Sequence, residues 1–180
     1  MTRLLILDVD GVLTNGTKVY DRQHNVLTKS FFCKDFTAIK RFIAAGIQVV
    51  MVSGDAWNQA MAKKRNIDFY CSRGEDLSLD KTALLPLLAQ KYQTTLDRMI
   101  FVGDDYFDLS MFQALEITFC PNDAPSIIKQ EAYCVLSRNG GEGVIAELYD
   151  CFIERKWIKD AAPEAVALLD KKEATSQEMQ

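Results

Sequence analysis

Asp8, Asp10, Ser53, Lys81, Asp104, Asp105 and Asp108 are the side chains in this sequence best placed to act together as acids, bases or ligands. Asp8 and Asp10 stand two apart after the apolar run Leu4-Leu5-Ile6-Leu7, with Gly11 and Thr14 just beyond. So short an uninterrupted apolar run predicts a strand buried on both faces of a parallel sheet. Alternation along that strand would point Asp8 and Asp10 the same way. Both would lie at its carboxyl end, where open α/β sheets bind ligands. Carboxylates crowded there repel unless a cation or a shared proton relieves them. Ser53 and the pair Asp104-Asp105 close two further apolar runs in the same manner.

The elements that must position these residues follow in order. Residues 17–20 and 26–32 are β-prone runs flanking the polar turn Asp21-Arg22-Gln23-His24-Asn25, which predicts a hairpin. Asp35 is expected to cap a helix over 36–45, with Phe36, Ile39, Phe42 and Ile43 at helical spacing and Gly46 at its end. A strand over 47–52 stops at Ser53-Gly54-Asp55, a helix runs through Asn66, and a short strand covers 68–71. Ser78 or Asp80 starts the helix that carries Lys81, Leu84, Leu85 and Leu88. Strands over 98–102, 117–120 and 132–136 alternate with helices over 107–115 and 124–130, and a closing helix falls within 140–156. This alternation predicts an α/β fold: a doubly wound, three-layer parallel sheet with right-handed crossovers. Residues 1–158 form the domain and 159–180 a polar tail, expected to be a marginal helix over 163–172 with disorder after it.

Composition removes several kinds of chemistry. A chain of 180 residues with 48% hydrophobic and 26% charged side chains suits one globular domain with a real core. A net charge of −4 argues against a nucleic-acid or anionic-membrane partner. No apolar run reaches membrane-spanning length, and Met1-Thr2-Arg3 does not resemble a signal peptide. Five scattered cysteines without a CxxC point to a reducing cytoplasm. The single histidine, His24, sits in the polar turn and no GxSxG is present, which argues against a Ser-His-Asp triad and a multi-histidine zinc site. Carboxylate chemistry is what remains.

The order DxD (Asp8, Asp10), Ser53, Lys81 and Gly103-Asp104-Asp105 with Asp108 resembles the haloacid dehalogenase superfamily. That resemblance implies phosphoryl transfer, which needs positioning and charge neutralisation. Clustered carboxylates would repel a phosphate, so a hard dication must sit between them, and Mg²⁺ suits an oxygen site that keeps waters. Asp8 and Asp104 would supply side-chain oxygens and Asp10 its backbone carbonyl. Asp8 is implied as the nucleophile, Asp10 as general acid and base. Lys81, Ser53 and backbone N–H groups near Gly11 and Gly54 would hold the phosphate. Asp108 would bond a metal water or Lys81, or simply favour a helix start, and Asp105 would stand behind the ligands.

Superfamily members usually owe substrate choice to an inserted cap domain, but only about twenty residues separate Thr14 from Asp35, and they read as a hairpin. That hairpin with Gly16 and Tyr20, Lys34-Asp35 and Arg138-Asn139-Gly140-Gly141-Glu142-Gly143-Val144 look like the capless phosphatases of 3-deoxy-manno-octulosonate 8-phosphate and of nonulosonate 9-phosphates. In that family a homotetramer forms, and a neighbour's hairpin and glycine turn complete each site. Asp55 stands where the octulosonate enzymes carry arginine, and Glu142 looks more like the nonulosonate branch. Asp55, Arg138 and Glu142 are therefore the candidate sugar contacts. The competing expectations are a general sugar or nucleotide phosphatase and a non-catalytic partner of a sugar-activating enzyme. The latter would usually have lost Asp8, Asp10 or Lys81, and all three are present.

Overall fold

The run Leu4–Leu7 forms β1, and all four of its side chains are fully buried. Leu5 and Leu7 pack into one apolar cluster, Leu4 and Ile6 into another on the opposite face. A strand with no polar face needs helices on both sides, and the chain supplies them. The computed structural model describes residues 3–73 and 80–178. After β1 come a hairpin of β2 (Val19–Tyr20) and β3 (Val26–Thr28), then α1 (Cys33–Ala44), β4 (Gln48–Ser53), α2 (Gln59–Lys64) and β5 (Asp68–Cys71). The second half holds α3 (Leu85–Tyr92), β6 (Met99–Val102), α4 (Leu109–Ala114), β7 (Ile117–Cys120), α5 (Ser126–Glu131), β8 (Cys134–Val135), α6 (Val144–Glu154) and α7 (Pro163–Glu178).

The main sheet has the order β5-β4-β1-β6-β7-β8, and every pairing in it is parallel. β1 is central, with Leu7 level with Met51 of β4 and Val102 of β6. That register brings the carboxyl ends of β1, β4 and β6 together, and the residues just beyond them share one edge. The order turns back on either side of β1, as in other doubly wound sheets, and this switch point is where ligands bind. No helix among the described residues is long and apolar enough to cross a membrane.

Three local expectations change. The strand stops at Leu7, and Val12, Leu13 and Thr14 all donate N–H groups to the Val9 carbonyl. Asp10 therefore lies in a turn, and strand alternation does not aim it. Asp35 does not cap a helix that starts at Phe36, but lies inside the first turn of α1. The helix starts at Cys33, and the Asp35 Oδ1 accepts from Ile145 and Ala146 N–H, each at 2.9 Å, at the start of α6. Its acid serves the orphan donors of a helix distant in sequence. The tail is helical through Glu178 rather than ending near residue 172. Glu173 pins it, accepting from Arg65 at 3.0 Å and pairing with Lys40 at 2.8 Å. At the helix carrying Lys81, Asp80 is the cap and accepts from Thr82 N–H, while the alternative start at Ser78 lies outside the described residues.

Candidate active site

A cleft of about 270 Å³ opens over the carboxyl ends of the central strands. Asp8, Asp10, Ser53, Gly54, Asp55, Lys81, Asp104, Asp105 and Asp108 all line it. Residues spread over a hundred positions thus converge because parallel strands deliver their ends to one side of the sheet.

The floor is an acid cluster around one lysine. Lys81 is buried and donates from Nζ to Asp8 Oδ1 at 2.8 Å and to Asp108 Oδ1 at 2.5 Å. Burial alone would lower its pKa, but the Asp8 and Asp108 charges outweigh that and raise it. Asp108 accepts with its other oxygen from the N–H groups of Asp104 and Asp105, at 3.0 and 3.2 Å. Asp108 therefore does both things expected of it: one oxygen holds Lys81, and the other serves the start of the short turn by accepting the Asp105 N–H. Asp105 is exposed and caps the short turn at Tyr106, so it orders the loop and sits at the rim.

Asp104 is the anomaly of the floor. Its Oδ1 is buried with no hydrogen-bond partner among the described residues. Burial first, then the charges of Asp8 and Asp108, push its carboxyl up to about 9. Asp8 is likewise pushed up to about 6 by burial, against the pull of Lys81. Ligand atoms of Asp8, Asp104 and Asp108 lie within 4.8 Å of one another. A Cβ on Gly11 would come within 1.9 Å of the Asp104 carboxylate, so the glycine keeps that space open, and its φ of +91° suits glycine as well. Three oxygen donors, an orphaned oxygen and a cleared approach fit a hard divalent cation.

Gly11 itself does not line the cleft. Its N–H is directed to the Thr14 hydroxyl at 3.3 Å, so its contribution is the space it leaves. Gly54 lines the cleft, and a Cβ there would lie 2.7 Å from the Arg73 side chain. The Ser53 Oγ accepts from Asp55 N–H at 3.1 Å and from Asn58 Nδ2 at 3.0 Å, which leaves its own hydroxyl proton for a ligand.

The wall opposite the floor contains residues that sequence reasoning missed. Lys29, with a fully buried side chain, donates to both oxygens of Asp10, at 2.7 and 2.9 Å, to Asp55 Oδ2 at 2.9 Å and to Asn58 Oδ1 at 2.9 Å. Lys18 reaches Asp55 at 2.7 Å. Partial burial works against the ionised form of Asp55, but hydrogen bonds from Lys18 and Lys29 hold its carboxyl well below the usual range. Arg73 and Phe107 complete the rim, the guanidinium lying 4.9 Å from the ring centre. One signal for Lys29 existed: it is the only charge between Asn25 and Cys33. Asn58 and Arg73 carried none.

Arg138 and Glu142 do not line the cleft of their own chain. The Arg138 guanidinium donates to the Glu142 carbonyl at 3.0 Å. The glycine turn instead packs under the loop that follows β1, where Gly141 N–H donates to the Val12 carbonyl and a Cβ on Gly140 would strike the Gly11 carbonyl at 2.0 Å. Close backbone approach is the reason for glycine at these positions.

With the geometry established, comparison with known proteins is direct. A family model described as haloacid dehalogenase-like hydrolase matches residues 76–148. The 3-deoxy-D-manno-octulosonate 8-phosphate phosphatase KdsC of Haemophilus influenzae is 33% identical over 157 residues, 84% of this chain and 83% of that protein. The cobalt-bound deoxy-D-mannose-octulosonate 8-phosphate phosphatase YrbI of Haemophilus influenzae matches with a TM-score of 0.76 at 31% identity, covering 85% of this chain and 88% of that one. A Moraxella catarrhalis 3-deoxy-D-manno-octulosonate 8-phosphate phosphatase, solved with magnesium, phosphate and KDO, shares the fold with a TM-score of 0.75 at 21% identity, over 97% and 92% of the two chains. The chain belongs to the haloacid dehalogenase-like hydrolases. It is a phosphatase of the KdsC-like kind, with a site for a divalent metal.

Proposed function

We propose that the protein is a Mg²⁺-dependent phosphomonoesterase acting on a phosphorylated acidic deoxy sugar, an octulosonate 8-phosphate or a nonulosonate 9-phosphate. The observation that carries this reading is the floor of the cleft, where Asp8 is held by Lys81 beside the orphaned oxygen of Asp104. Asp8 attacks phosphorus, and the bond to the sugar oxygen breaks as Asp10 gives that oxygen a proton. The result is an aspartyl phosphate on Asp8 and a free sugar. Water then attacks the phosphorus, Asp10 takes its proton, and Asp8 and phosphate are released. Lys81 holds Asp8 by one oxygen so that its orientation is set before substrate arrives. The Ser53 hydroxyl and the Gly54 N–H steady the phosphoryl oxygens. When bound, Mg²⁺ neutralises charge between phosphate and acids; Asp8 and Asp104 would hold it with the Asp10 carbonyl.

An acidic leaving group is supported by the rim, where Lys18 and Arg73 line the cleft. Guanidinium groups pair well with sugar carboxylates. The relatives that are named for an octulosonate 8-phosphate point to the same class. The same proposal extends to assembly. Val19, Tyr20 and Leu27 of the hairpin are exposed, and burying them against other copies would form a tetramer in which Arg138 and Glu142 reach a neighbour's cleft. A phosphate-release screen over octulosonate, nonulosonate, hexose and nucleotide phosphates tests the reading. Release should favour the acidic sugars, stop in chelator, return with Mg²⁺ and stay poor with Ca²⁺, whose longer bonds misplace Asp8. Equal rates across the panel would refute the substrate class, and full activity in excess chelator would refute the metal. Arg138→Ala should lower the preference for acidic over neutral sugar phosphates, and sedimentation should show the tetramer.

A further inference from the structure

The hairpin cannot be held by its own pairing. Its strands have two and three residues, and isolated hairpins of that size are marginal in water. Its large apolar side chains anchor it little, since Val19, Tyr20 and Leu27 are exposed and Val26 is only half-buried. What fastens it to the cleft is ionic. The Lys29 side chain is fully buried, and its three N–H donors face acceptors on Asp10, Asp55 and Asn58. The Trp57 ring lies 5.2 Å from the same nitrogen. Lys29 therefore has no donor left for a substrate.

The contact is also part of a closed ring. Asn58 accepts from Lys29 and donates through Nδ2 to Asp10 Oδ2 at 2.9 Å and to Ser53 Oγ at 3.0 Å. Both oxygens of Asp10 are thus held by donors from two elements, one of them the hairpin. Because the turn after Val9 takes Asp10 out of the strand, nothing in β1 aims it. The aim comes from the ring.

We infer that Lys29 is a positioning residue that aims the Asp10 carboxylate, and that the same contact latches the hairpin onto the cleft. The inference rests on the acid–base reading of Asp10 given above. It makes a seated hairpin a condition of turnover, since a misaimed acid–base group costs rate even when substrate binds normally.

The test uses the full-length protein with Mg²⁺, p-nitrophenyl phosphate as substrate, and amide exchange over residues 17–30 without substrate. Lys29→Met should lower kcat by about 10- to 100-fold with little change in KM, the size expected from misplacing a reacting group. Lys29→Arg should recover part of the loss. Hairpin exchange should quicken in Lys29→Met and, to a smaller degree, in Asp10→Ala, which leaves Lys29 on Asp55 and Asn58; the double variant should match Lys29→Met, because that change has already removed the Asp10 contact. A kcat kept near wild type in Lys29→Met, or a raised KM with kcat intact, would overturn the positioning role. Unchanged hairpin exchange in Asp10→Ala would overturn the latch. If Lys29→Met does not fold, Lys29→Arg kinetics and Asp10→Ala exchange decide. Full turnover by Asp10→Ala would instead refute the acid–base reading, a result separable from the loss of the latch.

Discussion

Two ionic clusters face each other across the cleft, and they are built on opposite accounts of charge. On the floor, Asp8 and Asp108 share the cation of Lys81, and beside them Asp104 keeps a buried oxygen without a partner among the described residues. On the hairpin side, two carboxylates, Asp10 and Asp55, meet two cations, Lys18 and Lys29, and their hydrogen bonds close on themselves. A buried group left unsatisfied is expensive, so the floor stores a deficit that a dication and a phosphate would relieve. The hairpin side stores none. The comparison separates a place that awaits ligands from a place that holds its own parts in position.

The largest effect should come from the floor. Asp8→Asn should reduce phosphate release by more than about a thousandfold, because an amide cannot attack phosphorus, while the fold survives. Near-normal release from this variant would remove Asp8 as nucleophile. Next, Asp104→Asn should lose activity yet stabilise the metal-free protein, since it removes a carboxyl that burial and its acidic neighbours force to keep a proton the unfolded chain has released; activity and stability would move in opposite directions. The pH dependence carries the same sign. The raised carboxyls of Asp104, up to about 9, and Asp8, up to about 6, keep protons that the unfolded chain has released above its ordinary carboxylate pKa of about 4. In chelator, stability should therefore fall as pH rises through the window from about 4 to about 9, and Asp104→Asn should flatten most of that slope. Thermal melts across this range check it. A rise in stability with pH would break the contrast between the two clusters. The matching change opposite, Asp55→Asn, should have the reverse sign, loosening the hairpin by removing a carboxylate that two lysines hold.

These differences also explain what was legible in the sequence. Asp8, Ser53 and Asp104 end apolar runs, and parallel sheets gather such ends, so local pattern was enough to bring them together. Lys81 was marked by its helix start and its place in the motif order. Asp10 was assigned correctly to the cleft but for an unsound reason, because the turn after Val9, not strand alternation, takes it there. Lys29 and Asn58 stand behind Asp10 and Asp55, and Arg73 lines the cleft, through contacts between elements far apart in the chain, which no periodicity encodes. Asp35 shows the same limit: its place at a helix start was read, but the donors it satisfies belong to α6, 110 residues later. Gly140 and Gly141 were singled out as a reaching turn, and in their own chain they also allow backbone to pack against the loop after β1.

A third ionic cluster, away from the cleft, supplies the scale on which the other two can be judged. Glu173 of α7 accepts from Arg65 at 3.0 Å and pairs with Lys40 at 2.8 Å, while the Arg65 guanidinium lies over the Phe36 ring. Neither cation is deeply buried, so screening by water keeps the pairs weak. The helix itself is largely polar: Leu168 is exposed, and Val166 and Leu169 are only half-buried. Glu173→Ala should therefore destabilise the protein by about 1 kcal/mol, fray the end of α7, and leave turnover of p-nitrophenyl phosphate unchanged. Urea unfolding and amide exchange over residues 163–178 would measure the first two effects. A loss of turnover comparable to that of Lys29→Met would show that α7 feeds into the site through Arg65 and α2, and the latch could then no longer be assigned to the hairpin contact alone.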